Sequence, residues 1–182
     1  MSNTTAKNQL RYELKMRLNS LSPTMRFEGE QKLIEQLESQ FALNDYPKNV
    51  LSYWSFGNEL PTHNLNEKLS QKCKVWLPVI VGDHLVVKPF NGKQSMIPEP
   101  KFGILEPIGS NLDDLSIIDI VLVPGLGFNE NGQRIGRGKG YYDGILPQLT
   151  NAVKIGVCFK EQLQNKIPTE PHDVTLDKVL AI

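Results

Sequence analysis

Ten consecutive residues concentrate the chemistry of this chain: Arg134-Ile-Gly-Arg-Gly-Lys-Gly-Tyr-Tyr-Asp143. Gly136, Gly138 and Gly140 alternate with Arg137 and Lys139. Glycines let a backbone turn tightly and bring its N–H groups up to an anion. Arg134 and Arg137 can grip a phosphate through paired N–H groups, and Lys139 adds a point charge. A helix predicted to start near Tyr141 would add the partial positive charge of its N-terminus. The pattern is not a P-loop, because Gly140 follows Lys139 where that motif has Ser or Thr, and its glycine spacing differs from the dinucleotide fingerprint. The residue types leave two readings open: a phosphate site, or a basic turn that holds no ligand. Asp143 divides the same way, between a first-turn acid favoured by the helix dipole and a Mg²⁺ ligand beside phosphates.

The flanking elements decide where this loop sits. Ile117–Val123 is a continuous Ile- and Val-rich run, the pattern of a strand buried on both faces. Ligands of open α/β sheets collect at the carboxyl ends of such strands, and the loop begins there, at Val123-Pro-Gly-Leu-Gly-Phe128. A helix is predicted over Tyr141–Leu146, limited by Pro147. Val153–Phe159 reads as a second buried strand containing a buried free Cys158, and Lys178–Ile182 as a last short one. Upstream, Leu10, Leu14, Leu18 and Leu21 give Lys7–Leu21 one apolar helical face. Lys7, Arg11 and Lys15 form a separate stripe that, on composition, is a solvated face. Ser22-Pro23 starts a second helix running to Phe41, with Leu33, Ile34, Leu37 and Phe41 inward. A loop over Asn44–Lys48 leads to a strand over Asn49–Ser55. Thr62 is expected to cap a short helix carrying Leu65 and Leu69. Lys74–Ile80 and Leu85–Phe90 read as strands joined by a Gly82-Asp83 hairpin turn. Asn91–Pro107 shows no period and reads as a long functional loop. Strands alternating with helices predict an α/β fold: a single domain over residues 1–182, with a mostly parallel central sheet flanked by helices and an antiparallel pair from the middle of the chain.

Bulk properties narrow the function. Twenty Lys and Arg balance twenty Asp and Glu, so nucleic acid is not the expected partner. No run approaches a membrane span, the N-terminus lacks the apolar segment of a signal peptide, and Cys73 and Cys158 form neither a metal-ligand spacing nor a disulfide framework. A cytoplasmic protein is expected. His63, His84 and His172 carry no catalytic assignment, and no nucleophile–base pair stands out.

The segment Arg134–Asp143, preceded by Val123–Phe128, resembles the signature of the 5-formyltetrahydrofolate cyclo-ligases (methenyltetrahydrofolate synthetases). Further collinear segments carry the same resemblance: Lys7-Asn-Gln-Leu-Arg11, Leu21-Ser-Pro23, Tyr53–Thr62 with Phe56 and Glu59, Phe102-Gly-Ile-Leu-Glu-Pro107, and Pro168–Asp177 with His172-Asp173. They span nearly the whole chain. The resemblance implies a fold like that of sugar-phosphate isomerases and CoA transferases. It implies a reaction in which ATP, with Mg²⁺, converts 5-formyltetrahydrofolate to 5,10-methenyltetrahydrofolate, ADP and phosphate. It also implies roles. Lys7, Asn8, Gln9, Leu10, Arg11, Arg134, Ile135, Gly136, Arg137, Gly138, Lys139, Gly140, Tyr141 and Tyr142 would bind ATP, with Arg137 and Lys139 catalytic. Phe56, Glu59 and Tyr142 would bind the folate, Glu59 at its pterin, and Trp54 divides between folate contact and core. Asp143 and Asp173 would ligate Mg²⁺. Two rivals remain at this stage: an ATP-dependent activator of another formamide or carboxylate, and a binder of folate or nucleotide without turnover.

Overall fold

A computed structural model describes residues 3–43, 45–100 and 103–182. Asn44, at the head of the expected loop, and Phe102, in the mid-chain motif, lie outside the described residues. Two helices lead, α1 (Asn3–Asn19) and α2 (Pro23–Leu43). They are followed by β1 (Asn49–Leu51), α3 (His63–Ser70), β2 (Lys74–Val81) and β3 (His84–Pro89). A short hairpin of β4 (Met96–Pro98) and β5 (Leu105–Pro107) comes next, then β6 (Ile120–Val123). A second hairpin, β7 (Gly127–Phe128) and β8 (Arg134–Ile135), precedes α4 (Tyr141–Ile145), β9 (Val153–Cys158) and β10 (Lys178–Ala181).

The central sheet has the order β10-β9-β6-β1-β2-β3. All its pairings are parallel except β2 with β3, which the Gly82-Asp83 turn joins in antiparallel register, Val81 opposite His84. The mostly parallel α/β sheet flanked by helices is therefore observed. Side-chain alternation explains why β6 reads as an unbroken apolar run. Leu122 packs with Leu14, Leu18, Leu33 and Leu37 beneath α1 and α2, whereas Val121 and Val123 pack with Ile145, Leu146 and Leu149 on the opposite face. All four predicted inward residues of α2 are buried. Cys158 is buried and free, and burial pushes its thiol pKa up to about 12.

Some boundaries differ from expectation. β1 stops at Leu51 rather than Ser55, because Tyr53–Thr62 folds back on itself: the Tyr53 hydroxyl donates to Leu60 O at 2.9 Å, and Thr62 Oγ1 donates to Tyr53 O at 2.6 Å. Thr62 thus precedes α3 without capping it through its side chain. The buried Glu30 of α2 takes that role, accepting from Asn64 N at 2.7 Å and Leu65 N at 3.4 Å. A carboxylate at a helix N-terminus satisfies orphan donors and meets the positive end of the dipole. The stretch Asn91–Pro107 contains the β4–β5 hairpin, and the glycine-rich loop contains β7 and β8. α4 is only five residues long, so the dipole expected at Gly140 is weak.

Candidate active site

A cleft of about 570 Å³ opens at the carboxyl ends of β1, β6 and β2, where the strand order predicts a ligand. Its volume is in the range of small-molecule sites. Segments far apart in sequence meet there: α1, the Tyr53–Glu59 turn, the β4–β5 hairpin, the glycine loop and the loop before β10.

The glycine loop forms one wall, with Arg134 to Asp143 all lining it. Gly138 and Gly140 have φ of 96° and 72°, the left-handed region that disfavours other residues. At Gly138 the surroundings also matter: an added Cβ would stand 3.4 Å from the Arg11 guanidinium carbon. Arg11 is fixed against this loop, its Nε donating to Gly136 O at 3.0 Å. Arg134 is buried and pairs with Asp143, Nη2 to Oδ1 at 2.7 Å. Its guanidinium also lies 5.7 Å from the Tyr142 ring centroid, a cation–π distance. Burial, reinforced by Glu59, pushes the Tyr142 phenol far above its ordinary pKa, and its hydroxyl finds no partner among the described residues.

Arg137 crosses to the opposite wall. Its Nε donates to Glu59 Oε1 at 3.1 Å, and its Nη2 donates to Asn58 Oδ1 at 3.0 Å and Phe56 O at 3.3 Å. Glu59 is held on its other side by the Phe56 N–H, which donates to Oε2 at 2.9 Å. The expected catalytic arginine and the expected folate carboxylate are therefore one ion pair. Lys139 is exposed and makes no ion pair among the described residues.

The stripe on α1 is not a solvated face. Lys7 is 6% exposed, and its Nζ donates to Glu170 Oε2 and Asp173 Oδ2, both at 2.7 Å. Burial opposes the Lys7 charge, but the hydrogen bonds to Asp173 and Glu170 outweigh it and the pKa is raised. Asp173 shows the mirror image: burial alone would raise its pKa, yet Lys7 and the Glu170 N–H lower it. Lys15, the third member of the stripe, is exposed.

Four expected site residues have protein partners in this structure. Asn8, Gln9 and Leu10 do not line the cleft, because one helical turn carries only Lys7 and Arg11 to that face. Asn8 instead accepts from Arg11 Nη1 at 2.8 Å, Gln9 bonds Glu13, and Leu10 packs on the core. Asp173, expected to ligate a metal, is occupied by Lys7. Ligand atoms of Glu170, His172 and Asp173 stand within 4.8 Å of one another, close enough to share a cation. Asp143 is likewise a half-buried oxygen donor, with one oxygen held by Arg134 at 2.7 Å, and Mg²⁺ sites use one or two carboxylates plus phosphate oxygens.

Trp54 lines the cleft and stacks on His63, centroids 4.0 Å apart and planes 14° from parallel. It serves core and cleft at once. The remaining lining carries no residue-by-residue role in the sequence analysis. Pro78, Ile80 and Leu85 arrive from β2 and β3, and Ile104–Pro107 from the β4–β5 hairpin. Glu170 and His172 arrive from the loop before β10. Glu106 and His172 lay within recognised segments without a role, and nothing local marks Glu170 as a partner of Lys7.

The model of the 5-formyltetrahydrofolate cyclo-ligase family matches residues 3–182. The 5-formyltetrahydrofolate cyclo-ligase of Haemophilus influenzae is 30% identical, with 98% of this chain and 98% of the relative covered. The enzyme of the same name from Mus musculus is 28% identical, covering 97% and 93%. The NMR structure of Aquifex aeolicus 5,10-methenyltetrahydrofolate synthetase matches with a TM-score of 0.82 at 27% identity, over 96% of this chain and 89% of that one.

Proposed function

This chain belongs to the 5-formyltetrahydrofolate cyclo-ligase family, and from that premise we propose that it closes 5-formyltetrahydrofolate to 5,10-methenyltetrahydrofolate at the expense of ATP, with Mg²⁺. One observation carries the proposal: a single cleft joins a cationic glycine loop to the apolar side chains of Pro78, Ile80, Leu85 and Leu105. Both ends of the chain wall this cleft, which supports residues 1–182 acting as one catalytic domain.

The formamide oxygen of the substrate is a poor leaving group. Its attack on the γ-phosphorus of ATP forms a C–O–P link and releases ADP. The secondary aniline nitrogen of the side chain, one methylene beyond the reduced ring, then donates its electron pair to the activated carbon. Its proton is lost, the C–O bond breaks, and phosphate departs, leaving the cyclic amidinium. Phosphoryl transfer of this kind is chiefly positioning and charge neutralisation. Arg11, Arg134 and the loop N–H groups position the phosphates. Arg137 and Lys139 neutralise charge on the transferring group, with Arg137 aimed by Glu59. Phe56, Glu59 and Tyr142 meet the folate. Asp143 would hold Mg²⁺, which supplies charge neutralisation to the phosphate oxygens when bound. Lys7 stands with Glu170 and Asp173 at the nucleotide end, positioned to exchange partners when an anion arrives.

The test follows methenyltetrahydrofolate absorbance with purified protein, 5-formyltetrahydrofolate and Mg²⁺-ATP, against controls lacking ATP or Mg²⁺. An ATP-dependent rise supports the reading. A flat trace from folded protein that binds ATP rejects it, and favours an activator of another substrate or a binder without turnover.

A further inference from the structure

Two carboxylates face the substrate half of the cleft, and they differ in what they already hold. Glu59 is engaged on both oxygens, by Arg137 Nε and by the Phe56 N–H. Its charge is neutralised within the protein. Glu106 lines the same cleft from β5, opposite Ile97 of β4. Its neighbours along the cleft wall are Ile104, Leu105 and Pro107, and Pro78, Ile80 and Leu85 line the same cleft. Among the described residues its side chain makes no hydrogen bond and no ion pair. Burial and the nearby Glu99 raise its carboxyl pKa, and Lys88 only partly offsets them. Glu106 is partly buried, and a carboxylate losing water without gaining a partner is a cost to the free protein that a ligand with donors can offset.

The folate substrate carries a matching group. The 2-amino-4-oxo pyrimidine edge of its pterin presents an N–H and an NH₂ side by side, the paired donors that one carboxylate accepts in parallel. The rest of that ring is flat and suits an apolar wall. Accordingly we propose that Glu106, rather than Glu59, is the residue that reads the aminopyrimidinone edge of the substrate and so sets which bicyclic ring is accepted. This deepens the proposed function and rests on it. Glu59 keeps a different task, aiming Arg137.

The test pairs a change in the residue with a change in the ligand. Natural 5-formyltetrahydrofolate is compared with its analogue bearing a methyl group in place of the 2-amino group, using the parent, Glu106→Gln and Glu59→Gln. The parent should favour the natural substrate by at least about 10-fold in kcat/KM, the worth of one charge-assisted pair. Glu106→Gln should raise KM for the natural substrate on the order of 10-fold, leave KM for ATP unchanged, and lose most of the discrimination. Glu59→Gln should lower kcat and keep the discrimination. Glu106→Ala, giving the same loss, guards against a peculiarity of the amide. Discrimination that survives in both Glu106 variants, is absent from the parent, or disappears in Glu59→Gln overturns the assignment while turnover by the parent leaves the reaction intact. No turnover of the natural substrate by the parent overturns the proposed function, and this inference with it.

Discussion

The two walls of the cleft are built on opposite principles. On the cationic side nearly every charge already has a protein partner: Arg134 with Asp143, Arg137 with Glu59, and Lys7 with Glu170 and Asp173. The wall built from β2, β3 and the β4–β5 hairpin is largely apolar, and its carboxylate Glu106 has no hydrogen-bond or ion-pair partner among the described residues. A charged wall whose members hold one another keeps its geometry without ligand, so little reorganisation is needed when phosphates arrive. An apolar wall with one unsatisfied acceptor does the reverse. It leaves free energy to be recovered by the ring that fits.

That contrast can be broken or sharpened by substitution. The largest effect should come from Arg137→Ala, lowering kcat about 10²- to 10³-fold while the exposed position leaves the unfolding temperature near the parent's. Unchanged turnover would remove Arg137 from the chemistry and reduce its pair with Glu59 to scaffolding. Asp143→Asn should raise the Mg²⁺ concentration needed for half-maximal rate. It should also cost about 1–3 kcal/mol of stability, because the buried Arg134 loses a charged acceptor. Titrating Mg²⁺ against activity, alongside chemical denaturation, separates the two consequences; an unaltered Mg²⁺ dependence would leave Asp143 only a partner for arginine.

Lys7→Met should cost about 2 kcal/mol near neutral pH, and its signature is the pH profile. The depressed Asp173 pKa contributes stability above about pH 4, lost as pH falls through the folded value. The raised Lys7 pKa contributes stability below about pH 10.4, lost as pH climbs through its folded value. Denaturation across that range should show both limbs flattened in Lys7→Met, and limbs identical to the parent's would mean the contact is energetically silent. Least of all should Glu106→Gln matter to stability, within about 0.5 kcal/mol. A marked loss there would reveal a structural partner and erase the contrast between the walls.

The same division governs what the sequence discloses. The cationic wall is legible because its chemistry is local: Arg134 to Asp143 are consecutive, and the strand before them shows its burial in an unbroken apolar run. Helix faces and the β2–β3 hairpin are legible by periodicity and by Gly82-Asp83. The apolar wall is less so, since Pro78, Ile80 and Leu85 look like any strand residue until the sheet brings them to the cleft. Lys7 misleads for a related reason. Composition makes a four-spaced basic stripe look solvated, and only a contact reaching 166 positions along the chain shows that its first member is buried. A contiguous motif such as Lys7–Arg11 does not show which face of a helix each member occupies, and only Lys7 and Arg11 of the five line the cleft.

The Lys7 contact also fastens two distant parts of the chain. It ties α1 to the loop before β10 across 163 and 166 positions. A contact of such high sequence separation closes a long loop, and its entropy is lost before the contact rewards it. Much of the sheet can therefore pair before this corner of the cleft is closed, and hydrogen-exchange protection of the loop before β10 should appear after that of β1 and β6 during refolding.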